Sequence, residues 1–343
     1  MALTLRVTGD RWRAHLREVA GNNPGLVPVV KGNGYGFGIG RLARRVSWLG
    51  VDTVAVGSYE EVPELTSRFD GDVLVMTPWR PYRTSVPYGR RVVHTLGRVD
   101  DLRELSSRHP GSRVVVEGLT AMSRHGLTRP ELAAAAGALG DLRLEGFALH
   151  LPMTGDRLGQ TELWCTALQD SLLRTHTVFV SHLGAFELTT MCERWPALRM
   201  RPRIGTELWL GDRAALHAVA TVIDVHRVSR GERVGYRQRA MPRDGTLLVV
   251  AGGTAHGIGL EAPTAATSLR ARAIALARGG LDAAGFALSP YSVAGRQRWF
   301  AEPPHMQVSL LFLPRGVQVP PIGTEIDVDV RLTTTTFDAV HIL

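Results

Sequence analysis

The chain has little cysteine and no long apolar run, and each absence narrows what it can be. Cys165 and Cys192 are the only cysteines in 343 residues. They lack CxxC spacing, so neither a disulfide framework nor a zinc ribbon is indicated, and both are expected to be small buried hydrophobes. No apolar stretch approaches the roughly 18 residues that span a bilayer. The opening Met1-Ala-Leu-Thr-Leu-Arg6 lacks the apolar core of a secretory signal. These features predict a cytoplasmic protein with no membrane partner. Hydrophobic residues at 44% and charged residues at 21% exclude a disordered chain. The net charge of +8 raises nucleic acid as a partner. The arginines, however, are scattered through Arg13, Arg44, Arg103, Arg129, Arg174 and Arg237, mostly beside apolar positions of helical spacing. This is a solvated, arginine-rich surface, and no nucleic acid is expected.

Up to about residue 205 the sequence repeats a short β-branched apolar run, a polar turn and an amphipathic helical stretch. The runs are Val27 to Val30, Thr53 to Val56, Val73 to Met76, Val92 to Thr95, Arg113 to Val116, Gly146 to Leu149, Thr177 to Val180 and Leu198 to Arg203. Helices are predicted at Arg41 to Leu49, Pro130 to Leu139 and Gln160 to Leu173, long enough to serve as crossovers between parallel strands. Eight such units predict an α/β fold with an N-terminal (β/α)8 TIM-like barrel. After about Ala220 the pattern becomes short alternating runs separated by Gly, Pro and charge, as in Thr246 to Ala251 and Glu325 to Leu332, which predicts a C-terminal all-β domain. The expected division is 1–215 for the barrel and 216–343 for the β domain.

In a parallel barrel the reactive groups stand at the carboxyl ends of the strands. The first run ends in Lys31-Gly-Asn-Gly-Tyr-Gly-Phe-Gly38, which puts an amine at the barrel mouth beside a glycine-rich turn. A lysine partly desolvated there has a lowered pKa and can attack an aldehyde, although position alone favours a snorkelling surface lysine. A P-loop is excluded because its lysine follows the glycines. A Rossmann loop is excluded because the glycines here fall only on even numbers.

Val29-Val-Lys31-Gly-Asn-Gly-Tyr35-Gly-Phe-Gly38 resembles the lysine segment of the alanine racemase family, fold-type III enzymes that use pyridoxal 5′-phosphate (PLP). Met122-Ser-Arg124-His-Gly126-Leu127, Glu145-Gly-Phe-Ala-Leu-His150, Arg203-Ile-Gly205 and Gly231-Glu-Arg-Val-Gly235-Tyr236 follow in the family's order, and the resemblance covers nearly the whole chain. It implies PLP as cofactor and a head-to-tail homodimer with composite sites. Lys31 resembles the lysine that holds the cofactor and acts as one acid/base group. Tyr35 resembles a phosphate ligand, His150 the histidine packed against the cofactor ring, and Arg203, followed by Gly205, the arginine facing the pyridine nitrogen. Arg124 and Met306 fall at substrate-binding positions, and Tyr236 resembles the second acid/base group, supplied by the other subunit. Glu117 stands where many members carry a carbamylated lysine, and it either orients Arg124 across a shorter stem or is a surface glutamate. The implied activity is that of an amino-acid racemase acting on alanine or a somewhat larger amino acid, with no metal.

Several positions depart from the family pattern. Thr254 replaces the tyrosine that narrows the entrance. His182-Leu-Gly-Ala185-Phe186 lacks a hydroxyl expected at the phosphate, and Phe337 sits near another phosphate tyrosine. Pro304-His305-Met306-Gln307 replaces a Cys-Met-Asp-Gln segment. These changes keep open an alternative, a PLP-binding homologue with little turnover that acts as a cofactor carrier or regulatory partner.

Overall fold

The structure, a computed structural model, describes residues 2–260 and 287–343. It resolves into two compact units, one of Arg13–Gly211 and the other of Met1–Trp12 with Asp212–Leu343. The sequence division of 1–215 and 216–343 therefore differs at the N-terminus: the first dozen residues belong with the β unit. The reason is pairing. β1 (Leu3–Val7) is a strand whose partners lie at the far end of the chain, β10 (Leu216–Val228) and β18 (Ala339–Ile342).

The barrel unit is a closed ring of eight parallel strands. They are β2 (Val27–Val30), β3 (Thr53–Val56), β4 (Asp72–Val75), β5 (Val92–Leu96), β6 (Arg113–Gly118), β7 (Arg143–His150), β8 (Thr177–Ser181) and β9 (Arg199–Ile204). Short β-branched runs buried on both faces form these strands, because the interior covers one face and helices such as Ile39–Leu49 and Val99–Arg108 cover the other. Inside the barrel, Val27, Val29, Ala55, Leu74, Val93, Val115, Ala148 and Phe179 pack as one cluster. The small Ala55 and Ala148 leave room for Phe179. Within β9, Arg201 donates to Gly25 O and Thr53 Oγ1, both at 3.1 Å, and pairs with Asp52.

In the other unit, β10 is long enough to serve several neighbours. Its first half pairs with β1 and with β17 (Glu325–Val328); beyond a register shift between Val222 and Asp224 its second half pairs with β13 (Gly245–Ala251). β14 (Leu288–Val293), β15 (Arg296–Phe300) and β16 (Val308–Pro314) complete an eight-stranded sheet among the described residues. The small hairpin of β11 (Arg233–Val234) and β12 (Arg239–Ala240) stands apart from it. Cys165 is buried, but Cys192 is exposed, against expectation. It follows Met191 on the helix Ala185–Arg194, where Leu188 and Met191 form the buried stripe and the next residue turns outward. Among the described residues no helix is long and apolar enough to cross a membrane, and no group of three His, Cys, Asp or Glu could hold a metal ion.

Candidate active site

Five strands deliver the side chains at the barrel mouth. Lys31 follows β2, Glu117 lies near the end of β6, His150 ends β7, His182 follows β8, and Arg203 lies one residue from the end of β9. Lys31 is the only lysine of the chain, against 40 Lys and Arg residues together. It is exposed, and its ammonium pKa is held below the usual lysine value, chiefly by desolvation and then by the positive charge of Arg124, against a rise from Glu61. Its turn is braced by Glu61, whose carboxylate accepts from Gly32 N and Gly57 N, both at 2.6 Å, and from Ser58 N at 3.2 Å.

Tyr35 sits four residues beyond Lys31 in a tight turn with φ of 55°, a left-handed conformation that side chains adopt reluctantly. This aims the buried ring at Gly205. A Cβ on Gly205 would stand 2.1 Å from Tyr35 Oη, so only glycine permits the hydroxyl to rest there. Burial raises the Tyr35 pKa above the usual tyrosine value, which keeps the phenol protonated and able to donate. The short helix Thr206–Leu210 that follows Gly205 is fixed to β2 by Trp209 Nε1 donating to Val29 O at 2.7 Å.

Arg203 is buried and donates from Nη2 to Leu149 O at 2.9 Å, while its Nε has no hydrogen-bond partner. Burial lowers its pKa, partly opposed by Glu117, but a guanidinium stays protonated. His150 also has a buried Nδ1 without a partner. Desolvation first, then the charges of Arg203 and Arg124, hold its pKa at about 3, so the ring is neutral. Its edge meets His182 at a centroid distance of 5.2 Å and an interplanar angle of 79°. Glu117 Oε2 lies 3.1 Å from His125 Nδ1 but without hydrogen-bond geometry, which leaves both atoms unsatisfied. Its recorded contact is thus with His125 rather than with Arg124, which is exposed.

The barrel unit therefore brings together Lys31, Tyr35, His150, Arg203, Gly205 and, through its field, Arg124. The β unit gathers the remainder. Tyr236, 84% exposed, lies between the two strands of the small hairpin, and Met306 is 70% exposed. Thr254 N donates to His305 O at 2.8 Å and Ala255 N to Met306 O at 2.9 Å, which ties the segment at Thr254 to residues 305 and 306. Phe186 is 81% exposed, whereas Phe337 packs partly against the core of the β unit. Sequence reasoning missed Glu61, although Ser58-x-x-Glu61 is a legible capping-box spacing. It also missed Glu302 beside Tyr236, for which no sequence signal exists.

A parallel barrel with a lysine at the end of its first strand, joined to an antiparallel β unit, is the architecture of fold-type III enzymes. The N-terminal part of the chain is similar to the alanine racemase family. The family model "Alanine racemase, N-terminal domain" matches residues 10–176. An alanine racemase of a Nitratiruptor species is 28% identical over 156 residues, 44% of this chain and 44% of that protein. One of Campylobacter curvus is 27% identical over 178 residues, 48% and 50% respectively. The chain thus spans about half the length of the curated relatives it matches. Among solved structures, alanine racemase from Bartonella henselae with covalently bound pyridoxal phosphate superposes with a TM-score of 0.72 at 16% identity, over 100% of both chains. That from Bacillus anthracis with bound L-Ala-P gives 0.71 at 17%, over 96% of this chain and 86% of that one. At such identities the likeness concerns the fold.

Proposed function

We propose that the protein is a PLP-dependent amino-acid racemase that exchanges the α-proton between the two faces of its substrate, with Lys31 and Tyr236 as the two acid/base groups. The observation that carries this reading is the use of the chain's single lysine. In a protein whose cations are otherwise arginine, the one amine stands at the barrel mouth, partly desolvated, in the field of two guanidinium groups. An amine that is easily deprotonated is what carbonyl attachment and proton abstraction require, and arginine cannot replace it.

The orphaned atoms fit the cofactor. A buried N–H without an acceptor costs about 1 to 3 kcal/mol, and Arg203 Nε is such a donor, suited to a pyridine nitrogen. The phenol of Tyr35 above Gly205 suits a phosphate oxygen, Lys31 the aldehyde carbon, and the neutral His150 ring a face of the pyridine. When bound, PLP supplies an electron sink that acidifies the Cα–H bond of an attached amino acid. Arg203, unable to give up its proton, holds the adjacent nitrogen unprotonated, which weakens that sink and favours proton exchange over decarboxylation or transamination. Arg124 offers a fork of donors to the substrate carboxylate. Lys31 takes or returns the proton on one face, and Tyr236 does so on the other, because a single fixed group serves only one face.

Tyr236 and Met306 are exposed on the β unit, which supports a homodimer in which each copy lends them to its partner's barrel. Thr254 in place of tyrosine supports a wider entrance and a substrate range that extends beyond alanine. The test is chemical. Borohydride should fix PLP to the purified chain, and peptide mapping should find it on Lys31 alone, with D- and L-amino acids interconverted by the unreduced protein. A Lys31→Ala chain that still yields the reduced adduct would overturn the assignment.

A further inference from the structure

Tyr236 stands next to two ionisable side chains that the racemase reading leaves unused. Glu302, only 2% exposed, lies beneath the turn that carries Tyr236. Its Oε1 accepts from Tyr236 N at 3.2 Å and its Oε2 from Arg237 N at 3.4 Å, while Oε1 also pairs with His305 Nε2. The approach is so close that a Cβ on Gly235 would stand 1.9 Å from Glu302 Cδ, and Gly235 has φ of +74°. No residue with a side chain fits that turn over that carboxylate. The His305 ring in turn packs on the Tyr236 ring at a centroid distance of 4.4 Å and an angle of 47°. Below the turn, Val234, Met241, Ala301 and Phe312 belong to one apolar cluster, and His305 N donates to Val308 O at 2.9 Å. The segment carrying Glu302 and His305 is thereby fixed to the sheet.

This arrangement is more than a turn needs. A buried carboxylate costs several kcal/mol unless its oxygens are hydrogen-bonded, and this one meets two backbone N–H groups and one imidazole. Because Glu302 receives the Nε2 hydrogen, His305 is held in one ring orientation, which presents its face to Tyr236. A tyrosine as exposed as this one would otherwise rotate freely about its side-chain bonds. We propose that Glu302 and His305 are positioning residues that set the orientation of Tyr236 for proton transfer. The inference rests on the racemase reading, in which Tyr236 serves one face of the substrate.

Two readouts separate the inference from that reading. In the full-length chain without added PLP, fluorotyrosine incorporation gives one ¹⁹F resonance for each of the six tyrosines, and the Tyr236→Phe variant assigns that of Tyr236. His305→Ala and Glu302→Gln should each move the Tyr236 line towards that of a freely rotating tyrosine while the other five stay in place. His305→Phe, which keeps an aromatic face, should hold the line near its original position. With PLP and substrate in deuterated water, His305→Ala should lose inversion by roughly a hundredfold, as for a misplaced reacting group. Deuterium uptake through Lys31 should be preserved, and His305→Phe should recover part of the inversion. An unmoved Tyr236 line in both His305→Ala and Glu302→Gln overturns the proposal. So does wild-type inversion in His305→Ala where Tyr236→Phe abolishes it. If the wild-type protein neither exchanges nor inverts any amino acid, the racemase reading fails, and the resonances still decide whether the pair orients Tyr236.

Discussion

Arg201 and Arg203 lie two residues apart on one face of β9, and their surroundings differ. Arg201 has an acidic partner in Asp52 and donates to Gly25 O and Thr53 Oγ1. Arg203 is buried with Nε unsatisfied, its charge favoured by Glu117 at a distance and opposed by burial and by Arg124. The first is arranged for the fold, and the second keeps a donor free for the ligand role proposed for it. In the cofactor-free protein, Arg201→Met should cost about 1 to 3 kcal/mol, from broken charge-assisted hydrogen bonds. Arg203→Met should be neutral or stabilising, since a buried charge without full pairing is removed. Urea unfolding of the two variants checks this, and equal destabilisation would contradict it. A second consequence follows from the buried histidines. His94, whose Nδ1 lies 3.0 Å from Tyr59 Oη, has its pKa lowered to about 4, mainly by burial, and His150 to about 3. An unfolded histidine titrates near 6.5, so the unfolded chain takes up protons first as pH falls. Stability is therefore full above about pH 6.5 and declines below it, by about 1.4 kcal/mol per pH unit for the buried His94 and by less for the half-buried, solvent-screened His150, until the folded pKa is reached. Unfolding free energies of the cofactor-free protein between pH 7 and 4 should show the decline, with a shallower slope in His94→Gln.

At the scale of elements, the loop after β2 shows how a strand end becomes a site. Its backbone turns back so tightly that Tyr35 takes a left-handed conformation, and Glu61, from the turn after β3, holds both Gly32 N and Gly57 N. Glu61→Ala should release Lys31 from its place, with a loss on the order of 1 to 3 kcal/mol in folding stability and slower attachment of PLP. The rate of absorbance change on mixing with PLP, compared with wild type, tests this; an unchanged rate would show that Lys31 needs no brace. The barrel strands were readable because each is a short β-branched run between turns, and Val27–Val30 and Thr53–Val56 match to the residue. β7 begins at Arg143, three residues before the sequence reading, where Arg113 Nε pairs with Glu145 at 2.7 Å and polar residues hide the strand. β1 was not readable, because its partners at 216–220 and 339–342 are determined by the tertiary fold. The same limit applies to the site. Lys31, His150 and Arg203 could be found at strand ends, but Glu302 and Tyr236 are 66 residues apart, and only the sheet brings them together.

The whole molecule divides the proposed chemistry between its two units, with the amine and anion-binding groups on the barrel and Tyr236, Thr254 and Met306 on the β unit. If each copy completes its partner's site, mixing inactive Lys31→Ala and Tyr236→Phe chains should restore activity, since one mixed site receives both intact groups. A fully active monomer would contradict that arrangement. The central claim is that two groups serve opposite faces of one substrate carbon, and the most direct measurement follows deuterium uptake at Cα and optical inversion separately, with each enantiomer, PLP and deuterated water. The account predicts both processes in the wild-type protein from either enantiomer, and, once Tyr236 is phenylalanine, exchange with little inversion and only from the enantiomer whose Cα–H faces Lys31. Exchange without inversion in the wild-type protein, or inversion untouched in Tyr236→Phe, would contradict it.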